Sequence, residues 1–252
     1  MSNFNIKRFG RMTLWTFRME GKGLLACLGG ITFGFLVCAT AYLWPVLKSG
    51  IEIAGSSSEE LAGNYILVFT IYNIIGGSFI FNNISTMTAR LTYRMLPATD
   101  LEKFLTRALL FAAVWPLTGL IALLIADGLR FAVCLYIGAG GVESAVPTFF
   151  RLMLMSEGSA KWLAVAVWTH SFFILGGALF RRYQFVITAV VYVVLLNLVS
   201  KINVSVTGAG YSFDVFCDYG GPIFLATALI DWWLAYRVFH RSQLINNKWI
   251  NL

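Results

Sequence analysis

LPATDLEKFLTRALLFAAVWPLTGLIALLIA, Leu96 to Ala126, contains the two features that decide the fold. Its second part, Ala108 to Ala126, is 19 residues without a charge. A helix of roughly 17 to 25 apolar residues crosses a hydrocarbon core of about 30 Å. Its first part is the start signal of that helix. Pro97 lacks an amide donor and pushes Leu96 out of helical backbone, so a helix arriving from Arg90 to Met95 must stop there. Thr99-Asp100-Leu101-Glu102 then fits a capping box, with the Thr99 hydroxyl accepting the Glu102 amide and the Glu102 carboxylate accepting the Thr99 amide. Asp100 and Glu102 lie in the first turn, where the helix dipole favours anions, and Lys103 and Arg107 follow as the helix enters the apolar run.

The same reading extends along the chain. Other uncharged runs cover Gly23 to Leu47, Leu61 to Ala89, Trp162 to Phe180 and Tyr183 to Ser200, and Tyr219 to Tyr236 is interrupted only by Asp231. With 58% hydrophobic and 12% charged residues and a mean hydropathy of +0.75, the chain has about half the charge of a soluble domain. The expected fold is an all-α polytopic membrane protein. Its six spans fall at about 23–47, 61–89, 108–126, 162–180, 183–200 and 219–239, forming one transmembrane domain over 23–252. The 12-residue apolar run Phe131 to Val142 is too short to span and suits an interfacial or re-entrant segment, and Pro147 to Met155 reads as another interfacial helix.

Orientation follows from the distribution of Lys and Arg, which are retained on the cytoplasmic side. Six spans with the N-terminus inside place 14 of the 19 basic residues in the cytoplasm, among them Lys7, Arg8, Arg11, Arg94, Arg107, Arg182 and Arg237. Lys48, Arg130, Arg151, Lys161 and Lys201 share the outer side with eight acids, including Glu59, Asp127, Glu143 and Asp218. The net charge of +7 is thus a matter of topology and anionic lipid, not nucleic-acid binding, because the cations are spread over four inner segments.

Residues 1–22 place Phe9, Met12, Trp15 and Met19 at helical spacing among Lys7, Arg11 and Arg18, the pattern of an amphipathic helix lying on the inner leaflet. A disordered basic tail is the alternative. Ala39-Thr40-Ala41 resembles a signal-peptidase site, but the apolar run continues to Leu47 and the first span is expected to stay. Gly30 and Gly34 form a GxxxG face, and Gly76-Gly77 and Gly176-Gly177 offer similar notches for a neighbouring helix in the same bundle or in a second copy. Of the four cysteines, Cys27 and Cys38 read as small hydrophobes in the first span, and Cys134 and Cys217 share the outer side, where a disulfide is permitted.

Catalytic signatures are missing: the sequence has no P-loop, no G-x-S-x-G elbow and no HExxH or clustered Cys/His set, so neither a bound metal nor a nucleotide of its own is expected. Two ionisable side chains fall inside spans. Asp231 is either a functional intramembrane acid or a partner of the inner headgroups or of another helix, and His170, between Thr169 and Ser171, is either an interhelical contact or a proton relay.

LPATDLEKFLTR, preceded by RLTYRM, resembles the cytoplasmic loop of bacterial membrane proteins of the ABC type-2 permease family. The layout of an amphipathic N-terminal helix, six spans, both termini inside and a short coupling helix between spans two and three is similar as well. The resemblance implies a permease subunit in the bacterial inner membrane, paired with a second copy or a related chain. It would export an unidentified substrate under the drive of a separate cytosolic ATPase that holds the ATP and Mg. That ATPase would dock on the coupling segment 90–107, with Tyr93, Met95, Leu96, Pro97 and Leu101 as the apolar contact and Arg94, Thr99, Asp100, Glu102 and Lys103 as its polar rim. The family's outer hairpin between spans five and six has no counterpart here, where the longer outer segment, Asp127 to Lys161, lies between spans three and four. Rival expectations are a proton-coupled secondary transporter using Asp231 and His170, and a membrane accessory protein without transport.

Overall fold

A computed structural model of the chain describes residues 4–49, 56–82, 87–137, 143–155, 158–208 and 220–241. Their regular structure is helical: α1 (Ile6–Ser49), α2 (Ser56–Ser78), α3 (Met87–Met95), α4 (Asp100–Leu109), α5 (Trp115–Tyr136), α6 (Ala145–Leu154), α7 (Ser159–Leu179), α8 (Gln184–Gly208) and α9 (Gly220–Arg241). Five stretches among the described residues are long and apolar enough to cross a membrane: Ile6–Trp44, Ser58–Ser78, Asp100–Tyr136, Ser159–Leu179 and Gly221–Arg241. The chain is a polytopic helical membrane protein. The segment expected as the fifth span falls in α8, whose apolar part Gln184–Leu198 is shorter than these five stretches.

Three boundaries differ from the sequence reading, each for a physical reason. The amphipathic segment 1–22 is not a separate helix, since α1 runs without a break through Gly21 and Gly23. One glycine costs a helix only about 1 kcal/mol, too little to end one that continues on both sides. The second span stops at Ser78 and not at Ala89: past Gly76-Gly77 the backbone tightens, with the Phe79 and Ile80 amides donating to Gly76 and Gly77 carbonyls. Absence of charge marks solubility in lipid and carries no helix-stop signal. Finally, Asp127 and Arg130 lie inside helix α5, which continues to Tyr136, so the start of the 12-residue run is helix; residues 138–142 lie outside the described residues.

The contacts group the chain into two compact units, Phe17–Asn73 with Ala112–Ser159, and Met1–Thr16 with Ile74–Phe111 and Ala160–Leu252. In the former, Phe35, Leu61, Tyr65, Leu123 and Phe149 form the core, with the Phe35 and Tyr65 rings edge to face at 5.3 Å. Asp127 locks α6 onto α5. Its carboxylate accepts Arg130 Nε at 2.9 Å on one oxygen, and on the other the Ser144 hydroxyl at 2.7 Å and the Ala145 amide at 3.1 Å, while Arg130 Nη2 reaches the Glu143 carbonyl at 2.6 Å. An acid at a helix N-terminus and an arginine three residues on are how this charge is tolerated among apolar side chains. Cys134 is a buried free thiol; Cys217 lies outside the described residues.

Between α4 and α5, Leu110–Val114 forms a π turn immediately before Pro116. The proline ring would press on the carbonyl four residues back, and one extra residue in the turn relieves that clash. Trp115 is then held by α2, stacking on Tyr72 at 4.7 Å and donating its indole N–H to the Tyr72 carbonyl at 3.0 Å.

In the other unit α2, α7 and α8 meet at glycines. A Cβ on Gly177 would lie 2.5 Å from the Ser78 carbonyl oxygen, one on Gly77 3.0 Å from the His170 carbonyl oxygen, and one on Gly176 would collide with Thr188. Gly30 has nothing within 4 Å and Gly34 only Val68 at 3.9 Å, so among the described residues the GxxxG face makes no close helix contact.

Candidate functional site

The corner between α3 and α4 belongs to the unit that contains Met1–Thr16. Its turn is short, with the Leu96 amide donating to the Tyr93 carbonyl at 3.4 Å and the Ala98 amide to Leu96 at 2.8 Å. Thr99 has extended backbone (φ −71°, ψ 157°), and the capping box is complete: the Glu102 amide donates to Thr99 Oγ1 at 3.2 Å and the Thr99 amide to Glu102 Oε2 at 2.9 Å.

Glu102 does more than close its own helix. Asn5 donates its amide to Glu102 Oε1 at 2.8 Å, and Arg8 grips both oxygens, Nε on Oε2 and Nη2 on Oε1, each at 2.7 Å. Asn5 is in turn the cap of α1, its Oδ1 accepting the Lys7 amide at 3.0 Å and the Arg8 amide at 3.4 Å. One carboxylate therefore joins the first turns of two helices that are 94 positions apart in sequence. Glu102 is fully buried, and a bidentate guanidinium with two backbone donors is what makes a buried carboxylate tolerable.

Helix α9 grips the other side of the corner. His240 Nδ1 lies 2.9 Å from Asp100 Oδ2, and Arg94 Nη2 donates to the Phe239 carbonyl at 3.5 Å. Phe104 is buried among Phe81, Trp232, Tyr236 and Phe239, and Phe81 stacks on Phe239 at 5.1 Å. Within the corner, the Tyr93 hydroxyl donates to the Lys103 carbonyl at 3.0 Å, Lys103 Nζ donates to the Arg94 carbonyl at 2.9 Å, and the Arg107 guanidinium lies 5.4 Å over the Tyr93 ring.

These contacts sort the residues expected to meet a partner. Tyr93, Glu102 and Lys103 are buried and serve the chain's own packing, because the capping box and the facing helices claim their polar groups. Arg94, Leu96, Thr99 and Asp100 are half-buried. Met95 (80% exposed), Pro97 and Leu101 (39%) point outward and form an apolar edge.

The intramembrane pair is also redistributed. Thr169, His170 and Ser171 are successive on α7, about 100° apart around its axis, and each meets a different helix. The Thr169 hydroxyl lies 2.8 Å from the Tyr192 hydroxyl of α8, and His170 borders Gly77 of α2. Ser171 reaches Asp231 of α9, its Oγ 3.1 Å from Oδ2. Ser171, Asn5 and Arg8 are the residues that sequence reasoning missed. A polar triplet in an apolar run is a usable signal for Ser171, whereas nothing local marks Arg8 as the partner of Glu102.

Comparison with protein-family models, with curated proteins and with solved structures gives no match for the chain.

Proposed function

We propose that the chain is the membrane-spanning permease subunit of an ABC exporter, with six spans and both termini on the cytoplasmic face of a bacterial inner membrane. It works with a second permease copy and a separate cytosolic ATPase that binds ATP and Mg. The observation that carries this reading is the build of the corner. An apolar edge of Met95, Pro97 and Leu101 stands outward on a link that is fastened behind it, to α1 through Glu102 and to α9 through Asp100 and Arg94. A push on that edge is delivered to two helices at once, where a flexible linker would absorb it. Binding energy at such a surface concentrates in a few exposed apolar anchors.

The test is co-purification of the chain, expressed together with the genes beside its own, with a Walker-motif ATPase. Met95→Asp with Leu101→Asp should reduce the bound ATPase at least about tenfold, the scale of losing one such anchor, while leaving the thermal unfolding of the detergent-solubilised protein unchanged. If wild type retains no ATPase, or if the double variant retains all of it, the reading is wrong. Glu102 and Lys103 are unsuitable for this purpose, because their substitution disturbs the fold itself.

A further inference from the structure

Among the described residues three carboxylates are buried, and they differ in the donors they collect. Glu102 receives four N–H groups, two of them from Arg8. Asp127 receives Arg130, a hydroxyl and a backbone amide. Asp231 is also buried, at 9% exposure, yet among the described residues its one hydrogen-bond partner is the Ser171 hydroxyl. An ionised carboxylate has about four lone-pair sites to fill, and leaving them empty in an apolar setting is costly.

The Ser171 hydroxyl has a single hydrogen and two oxygens in reach: the Trp168 carbonyl of its own helix at 2.7 Å and Asp231 Oδ2 at 3.1 Å. Back-bonding of a helical serine to the preceding turn takes the hydrogen to the nearer acceptor. The contact between Ser171 and Asp231 then needs a hydrogen from the carboxyl group. We propose that Asp231 is a proton-binding site, occupied as a neutral acid that donates to Ser171 Oγ, in a relay that ends on the Trp168 carbonyl.

Loss of the proton would oblige Ser171 to leave Trp168 or α7 and α9 to part and admit water, so proton occupancy and the packing of these two helices are one equilibrium. His170 precedes Ser171 on α7, with its ring bordering Gly77, and Tyr236 is the next titratable residue along α9, its ring against Phe104. The inference stands apart from the ATPase reading and needs no partner protein.

Infrared difference spectroscopy on the purified full chain in nanodiscs tests it directly. Wild type minus Asp231→Asn at neutral pH should show one carboxylic-acid carbonyl band that shifts in deuterated buffer. Ser171→Ala should keep that band and move it to higher frequency, since the acid loses its acceptor. Carboxylate bands in place of the acid band would overturn the proposal, as would an unmoved band in Ser171→Ala. Should the asparagine variant fail to fold, Asp231→Glu retains the acid and is expected to shift the same band.

Discussion

Glu102 shows how far a single side chain can be committed. Its oxygens close the first turn of α4 and hold the first turn of α1, so removing it opens two helix ends. A double-mutant cycle measures the second commitment. Arg8→Ala and Glu102→Ala should each lower the apparent melting temperature by about 5 °C, and the double variant should fall by little more than either alone, since residues in one ion-paired network do not add. Additive losses would mean that Arg8 and Glu102 act separately. Half of this arrangement was legible in the sequence: Thr99 and Glu102 are three residues apart, and the reciprocal cap is a local pattern. The Arg8 contact was not, because it depends on tertiary structure that brings distant segments together. That Asp127 and Arg130 belong to α5 and do not open the outer segment was hidden for a related reason. A charge ends an apolar run without ending the helix, because at three-residue spacing two opposite charges compensate each other inside it.

At the scale of elements, glycine motifs identical in composition do different work. Gly177 is where α7 and the end of α2 touch through backbone, and no side-chain rotation can make room for a methyl group there. Gly177→Ala should destabilise the protein by about 1 to 3 kcal/mol, the usual range for overpacking. Gly30→Ala meets open space and should stay within about 0.5 kcal/mol of wild type. Unfolding in mixed micelles distinguishes the two, and equal losses would show that α1 is packed through its GxxxG face by something beyond the chain. The sequence marks both positions equally, since small residues permit close approach without specifying which helix approaches. Helix boundaries were legible where a stop or start has its own chemistry, as at Pro97 and Thr99. They were lost where only hydropathy was available, as between Ser78 and Ala89.

For the whole molecule, the five long apolar stretches among the described residues make it a membrane protein, and the charge distribution predicts which ends share a side. Arg151 on α6 and Arg182 after α7 should lie on opposite faces of the membrane, with Arg182 and Arg8 on the same one. Single cysteines at these positions in a cysteine-free background, labelled with an impermeant maleimide in oriented vesicles, check this. Labelling of 151 and 182 from one side would remove a span from the topology. Overall class was legible because composition is set by the solvent. The inward placement of Tyr93 and Lys103 was not, because which face of an amphipathic corner meets the rest of the chain is decided by helices elsewhere in the sequence.

Helix α1, at 44 residues, is about 66 Å long, roughly twice the hydrocarbon thickness. Such a helix ordinarily adapts to a thinner or thicker bilayer by sliding or tilting. Here its first turn is pinned through Asn5 and Arg8 to the Glu102 carboxylate, so sliding is denied to that end and tilting is the adjustment left to it.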